Sequence, residues 1–282
     1  MRCLSGVFLC CLGGLLLSSC FVTREAAVSS LPPANYRIWV RYQPTTDKEA
    51  QFHLGVRPVP MDNGWTDLRT QRDLQRIFFA GISVVMVEVS PQQLTQEAFF
   101  DRFRRFGEFA REFSLQTVLC LVPSPDEPVP ALERPNLLGY LRRLSLDKLP
   151  YYLGENGIPV VLIHEAFALE DGLPPGEEGV QLLRMGKEVP SPMVSQDSQE
   201  ALESGYRWVW GGLCQGGDTP AAAGKWSIPR RRGDSLGQQL EEARRSGCRI
   251  LLLSSWNDYR EGSFLEPNSL DGEALIQVLK RH

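Results

Sequence analysis

The chain has 282 residues, 43% of them hydrophobic and 9% aromatic, the composition of a globular protein with a large core and not of a disordered or fibrous one. Its net charge of −4 includes no basic run longer than Arg230-Arg231-Arg232, which argues against a nucleic-acid partner. Beyond residue 20 the histidines are His53, His164 and His282, and no C-x-x-C spacing occurs, so neither a metal centre nor a cofactor is expected.

The first nineteen residues have the form of an export signal. Met1-Arg2 supplies one positive charge, an apolar run follows from Val7 to Leu17, and small residues close it at Ser18-Ser19. A membrane-spanning helix needs roughly twenty apolar residues, and this run is about half as long. Leu17-Ser18-Ser19-Cys20 resembles the lipobox of bacterial lipoproteins. That resemblance implies cleavage before Cys20 and fatty acylation of its thiol, a palmitate-type anchor that holds the protein to a membrane. An ordinary signal with an incidental cysteine is the alternative. Phe21 is not the Asp that retains some lipoproteins at the inner membrane, which favours the outer membrane of the cell envelope. Residues 20–35 lack sustained periodicity and are expected to be a lipidated tether. Residues 36–282 are expected to form one domain.

Within that domain one punctuation recurs. Ala80-Gly81, Asn156-Gly157, Ser204-Gly205 and Ser246-Gly247 each precede an apolar run. Ahead of the glycines lie helical spacings such as Leu74, Ile77 and Phe78, or Phe99, Phe103, Phe106, Ala110 and Phe113. Leu137, Leu141 and Leu144 repeat the pattern less cleanly. A glycine just past a helix can take the left-handed conformation that ends it. The runs that follow are apolar almost throughout, as parallel strands covered on both faces are. Further strands are predicted at Tyr36–Tyr42, Gln116–Val122 and Val180–Met185.

Alternating helices and strands over this length indicate an α/β fold with a parallel sheet. A compact (β/α)8 barrel, TIM-like, is the expected architecture, with a doubly wound sheet as its rival. No G-x-G-x-x-G follows the first strand, so a dinucleotide signal is absent. In a parallel barrel, chemistry sits where strands end, and polar residues there are the candidates.

Four such places stand out. Ile250–Leu253 runs into Ser254-Ser255-Trp256-Asn257-Asp258-Tyr259-Arg260-Glu261-Gly262-Ser263-Phe264-Leu265-Glu266-Pro267. Trp256 offers a flat apolar face for a sugar ring, and Asn257, Asp258 and Glu261 offer groups that hold hydroxyls. A polar loop around a buried tryptophan is the plainer alternative. Glu88 ends the run Val84–Val87, where a carboxylate is costly unless it faces the rim or pairs with an arginine. Glu165 follows His164 at the tip of Val160–Ile163, and apolar surroundings there would raise its pKa toward that of a general acid. His164 itself suits a structural hydrogen bond better than a ligand role. Asp126 and Glu127 lie in the proline-rich stretch Pro123–Pro128, which also fits an acidic turn. Trp208 and Trp210 alternate in Tyr206–Trp210, where core packing is the default. Trp210 is nearest the rim and could line a sugar subsite, as could Trp226. Arg232 could reach a substrate hydroxyl or an anionic sugar.

Ser255 to Pro267 resembles the terminal barrel-strand segment of the glycoside hydrolase family 99-like and family 71-like barrels, including WbsX-like domains. Their pattern, Trp/Phe-Asn-Glu/Asp-Trp/Tyr-x-Glu-Gly-Thr/Ser-x-x-Glu-Pro, is matched by Trp256, Asn257, Asp258, Tyr259, Glu261, Gly262, Ser263, Glu266 and Pro267. Weaker similarity extends over residues 36–270. It includes Gly205–Gly211 as a late aromatic strand and Arg232-Gly233 as an arginine-rich loop. The resemblance implies a barrel acting on α-linked glycans, as an endo-acting α-mannosidase or α-glucanase does. It also implies substrate-binding roles for Trp256, Asn257, Tyr259, Glu266, Trp210 and Arg232. Two departures stand against it. Glu88 falls where the family carries aromatics, and the His-Ile-Glu-Pro-Tyr-like motif after the third strand is reduced to Glu127-Pro128.

Two functions follow for a protein tethered to a membrane and meeting an oligo- or polysaccharide. One is a glycoside hydrolase whose catalytic carboxyls come from Glu261, Asp258, Glu165, Glu127 and Glu88. The other is a catalytically inactive glycan-binding lipoprotein on the same barrel.

Overall fold

The computed structural model describes residues 36–44, 65–123, 139–140, 143–144, 159–164, 167, 181–185, 206–210, 230–246, 248–258 and 263–282. Cys20 and the segments expected to be signal and tether lie outside them.

Seven strands form one parallel sheet: β1 (Arg37–Tyr42), β2 (Val84–Val89), β3 (Gln116–Leu121), β4 (Val160–His164), β5 (Gln181–Met185), β6 (Tyr206–Trp210) and β7 (Ile250–Ser254). Their order is β5-β4-β3-β2-β1-β7-β6, every neighbouring pair parallel. The last strand of the sheet pairs with the first. In a doubly wound sheet the chain would return to the centre and place a middle strand there. The observed order is instead that of a barrel opened between β5 and β6, a curled parallel half-barrel. The described residues show no pairing of β5 with β6.

The helices follow from amphipathic spacing. Helix α1 (Asp67–Phe79) starts at Thr66, whose Oγ1 accepts a hydrogen bond from the Arg69 N–H at 3.2 Å. It buries Leu74 and Ile77 against the sheet, while Phe78, expected on the same face, is 44% exposed. Gly81 then turns the chain with φ +79°, as the punctuation predicts. Helix α2 (Glu97–Glu112) buries Phe99, Phe100, Phe103, Phe106 and Phe109. Each contributes about 1.5–3 kcal/mol by leaving water. Phe99, Phe103 and Phe106 stack in sequence at 5.8 and 6.5 Å. Helix α2 ends without glycine, and Ser114 takes the left-handed turn at φ 57°.

Helices α3 (Asp234–Ser246) and α4 (Ala274–Arg281) flank the last strands. Gly233, at φ +98°, lies against α4 so closely that a Cβ would stand 2.6 Å from Val278 Cγ2. Two short strands, β8 (Asn257–Asp258) and β9 (Ser263–Phe264), form an antiparallel pair beyond β7.

Side chains alternate across the strands and divide the core in two. Ile38, Val40, Tyr42, Val85 and Val87 pack under the helices. Trp39, Val84, Met86, Val118, Cys120, Leu162 and Leu252 form a separate cluster on the face turned away from them. Cys120 and Cys248 are buried as reduced thiols, and Cys248 Sγ donates to the Ala243 carbonyl at 3.5 Å.

Candidate functional site

On the face turned from the helices, apolar layers give way to polar groups at the C-terminal ends of the strands. Two residues beyond Trp39 comes Arg41, two beyond Met86 comes Glu88, and two beyond Leu252 comes Ser254. All three are buried, at 6%, 4% and 0% exposure. Arg41 Nε donates to Glu88 Oε1, and Arg41 Nη1 donates to Ser254 Oγ at 3.3 Å. Ser254 Oγ in turn lies 3.3 Å from Ser263 Oγ on β9. A charge in each of two adjacent apolar strands is tolerable in a dry setting because each meets the other.

The segment after β7 is stitched to the end of β1. The Trp256 N–H donates to the Arg41 carbonyl at 2.7 Å. Asn257 brackets Gln43, accepting from its N–H and donating to its carbonyl, both at 2.9 Å. Gln43 Nε2 donates to Asp258 Oδ2 at 2.8 Å. Ser255 Oγ accepts from the Asp258 N–H at 2.9 Å and donates to the Ser263 carbonyl at 2.6 Å. Asp258 and Glu88 are thereby both held at the rim next to β1, one through Gln43 and the other through Arg41.

A second buried network lies on the helix side of β1. Tyr42 Oη donates to Asp73 Oδ2 at 3.1 Å, Arg69 Nε donates to the same oxygen at 3.4 Å, and Arg69 Nη2 donates to Glu266 Oε1 at 3.3 Å. Burial pushes the Tyr42 hydroxyl well above its usual range, and the Asp73 charge adds to the rise. Burial also raises Asp73, against the pull of Arg69 and Arg72. Burial alone would lower Arg69, but Glu266, Tyr42 and Asp73 outweigh it and hold the guanidinium charged.

Several candidates from the sequence are located differently from their expected roles. Trp256 has no exposed surface and belongs to the core under the helices, so its ring has no open face for a sugar. Glu266, 1% exposed, faces Arg69 and anchors the segment to α1. Arg232 is exposed, in a left-handed turn at φ 52°. Its neighbour Arg230 is the buried arginine of that loop. Arg230 donates to Asp271 Oδ2 and to the Phe264 carbonyl, both at 2.6 Å, with its guanidinium 4.1 Å from the Phe264 ring centre. His164 is half-buried at the end of β4. The register sets Trp210 opposite Ser254. Glu127, Glu165, Tyr259 and Glu261 lie outside the described residues, as does Trp226.

Arg41, Gln43, Arg69 and Asp73 are not among the residues singled out from the sequence, and Ser254 enters there only as the start of the rim segment. One signal for Arg41 was present. It interrupts an apolar strand just as Glu88 interrupts the next, and opposite charges in two such strands are expected to meet.

No family model matches the chain, and no curated protein matches it by sequence. Solved structures do match. The GH99 endo-alpha-mannosidase from Bacteroides thetaiotaomicron, in complex with bis-tris-propane, aligns at a TM-score of 0.65 and 10% identity, over 86% of this chain and 95% of that one. A second structure of that GH99 endo-alpha-mannosidase aligns at 0.60 and 11% identity, with the same coverage of both chains. A glycoside hydrolase-like protein aligns at 0.61 and 13% identity, over 89% of this chain and 95% of that one. The fold is GH99-like. At these identities the likeness concerns the backbone and its topology.

Proposed function

We propose that the chain is an envelope-tethered glycoside hydrolase-like lipoprotein, acting on α-linked glycans at the C-terminal edge of a (β/α)8 barrel. The tether rests on the Leu17–Cys20 motif alone, and one observation carries the glycan reading. Two buried carboxylates, Glu88 and Asp258, are held beside β1 at the end of a parallel sheet where such folds do their chemistry. The GH99-like fold and the match of residues 255–267 to a family 99-like segment support the substrate class. In the catalytic reading one carboxyl protonates the glycosidic oxygen and another activates water or the sugar. Glu261, Glu165 and Glu127 are the further candidates for that pair.

A binding-only role has its own support. Both described carboxylates already have protein partners, Arg41 and Gln43, and the third-strand motif is reduced. The experiment that separates the two assays the protein on α-mannan and α-glucan oligosaccharides, with Glu261→Gln and Glu127→Gln alongside. Turnover lost in either variant supports hydrolysis. Binding without turnover supports the second role, and neither binding nor turnover refutes both.

A further inference from the structure

The opposite end of the sheet, where strands begin and helices finish, carries a surface that glycan chemistry does not use. The last turn of α1 exposes Phe78 and Phe79, at 44% and 58%, with their ring centres 5.6 Å apart. Phe79 also borders an open depression of about 300 Å³, together with Tyr36, Gly81, Leu279, Lys280 and His282. The same end of the sheet carries further basic residues. Arg37 and Arg249 are exposed and joined by a backbone hydrogen bond of 2.8 Å. Arg76, Arg111, Arg244, Arg245, Lys280 and Arg281 occupy the last turns of the four helices. The acidic residues described in or next to those turns are Glu108, Glu112, Glu241 and Glu242, and Glu241 lies 3.4 Å from Arg245.

Among the described residues this end therefore carries a basic surplus, in a chain whose net charge is −4. Helix dipoles account for cations in last turns. They do not account for Arg37, which opens β1, or Arg249, which precedes β7, nor for two adjacent exposed phenylalanines. Aromatic rings ringed by Arg and Lys suit the headgroup layer of a negatively charged bilayer, where each cation near the surface strengthens binding about fivefold. The chain also enters the domain at this end. Tyr36 is joined to Cys20 by 16 residues (36 − 20), an extended reach of at most about 55 Å.

We propose that this end of the domain docks on an anionic phospholipid surface, with Phe78 and Phe79 in the headgroup layer and Arg37, Arg249, Lys280 and Arg281 on lipid phosphates. The C-terminal edge of the sheet then faces away from the membrane. The surface stands independently of the glycan reading and of acylation at Cys20.

The compact unit Pro33–His282, which lacks the acylation site, is the material to test. Its sedimentation with phosphatidylcholine vesicles is compared with sedimentation with mixed phosphatidylcholine–phosphatidylglycerol vesicles, at low ionic strength and at about 1 M salt, where screening acts within about 3 Å. Binding is expected to the phosphatidylglycerol vesicles alone and to be released by salt. Arg249→Gln with Lys280→Gln and Arg281→Gln should weaken it at least tenfold. Phe78→Ser with Phe79→Ser should weaken it severalfold while leaving the salt dependence. Both variants should melt as the parent does, since these side chains are exposed. Equal binding to both vesicle types, no binding to either, or charge-neutralised protein that binds like the parent would each overturn the proposal.

Discussion

Arg41 and Tyr42 are consecutive residues of one strand, and each heads a buried polar network, but on opposite faces of the sheet. Arg41 looks away from the helices, to Glu88 and Ser254 at the rim. Tyr42 looks under α1, to Asp73, Arg69 and through it Glu266. The same chemistry therefore serves two ends. The helix-side network is enclosed between sheet and helix and can act only on the structure, by fastening the segment after β9 to α1. The rim network lies where a substrate can arrive.

The largest expected effect breaks the enclosed network. Arg69→Leu would remove the guanidinium that Asp73 and Glu266 share, leaving Arg72 4.0 Å from Asp73, and should cost about 3–5 kcal/mol in denaturant unfolding. An unchanged unfolding midpoint would mean the network is not closed as described. Glu88→Gln should cost less, about 1–3 kcal/mol, since Arg41 keeps Ser254 and an amide oxygen as acceptors. Glycan turnover should nevertheless fall at least about a hundredfold, the usual share of a proton-transferring or charge-stabilising carboxylate. An effect on stability with none on turnover would place both networks in the structural class.

Trp256→Phe distinguishes packing from stacking. The indole is fully buried and its Nε1 makes no hydrogen bond, so a loss of about 1–2 kcal/mol is expected with oligosaccharide affinity unchanged. A large loss of affinity would show that the ring does meet the sugar.

The enclosed network should also respond to pH. Burial raises Asp73 above its ordinary 3.8, so the folded state holds that proton more tightly than the unfolded chain does. The resulting stabilisation is full below about pH 3.8 and disappears as pH rises through the higher folded value. Thermal melts of the parent minus those of Asp73→Asn, in which other carboxylates cancel, should show the parent's relative advantage shrinking over that interval. A difference that grows with pH would reverse the sign. Smallest of all, Ser114→Gly should gain about 0.5–1 kcal/mol by relieving a left-handed serine remote from both networks.

The frame of the molecule was readable because its signals are local. Apolar runs such as Val84–Val89 and Ile250–Ser254, each preceded by a helix and a turn residue, announce a parallel sheet directly. The rim segment was readable too, since its polar residues follow one strand without a break. The partners were not. Whether Glu88 meets Arg41 depends on strand register across 47 residues, and whether Trp256 faces a sugar or the core depends on which side of the sheet its turn delivers it. Phe78 satisfies helical spacing and still lies outside the core, because Leu74, Ile77 and Ala80 define the buried face of α1 and Phe78 falls on its margin. Glu266 resembles a binding residue in sequence, but the arginine that claims it lies on another element, 197 residues away.

The most direct test of the rim as a glycan site is titration of α-mannan and α-glucan oligosaccharides into the parent, Glu88→Gln and Asp73→Asn, with heats and turnover recorded together. The rim account expects binding or turnover in the parent, its loss in Glu88→Gln and its retention in Asp73→Asn. Equal behaviour of Glu88→Gln and the parent, or loss only in Asp73→Asn, would contradict it.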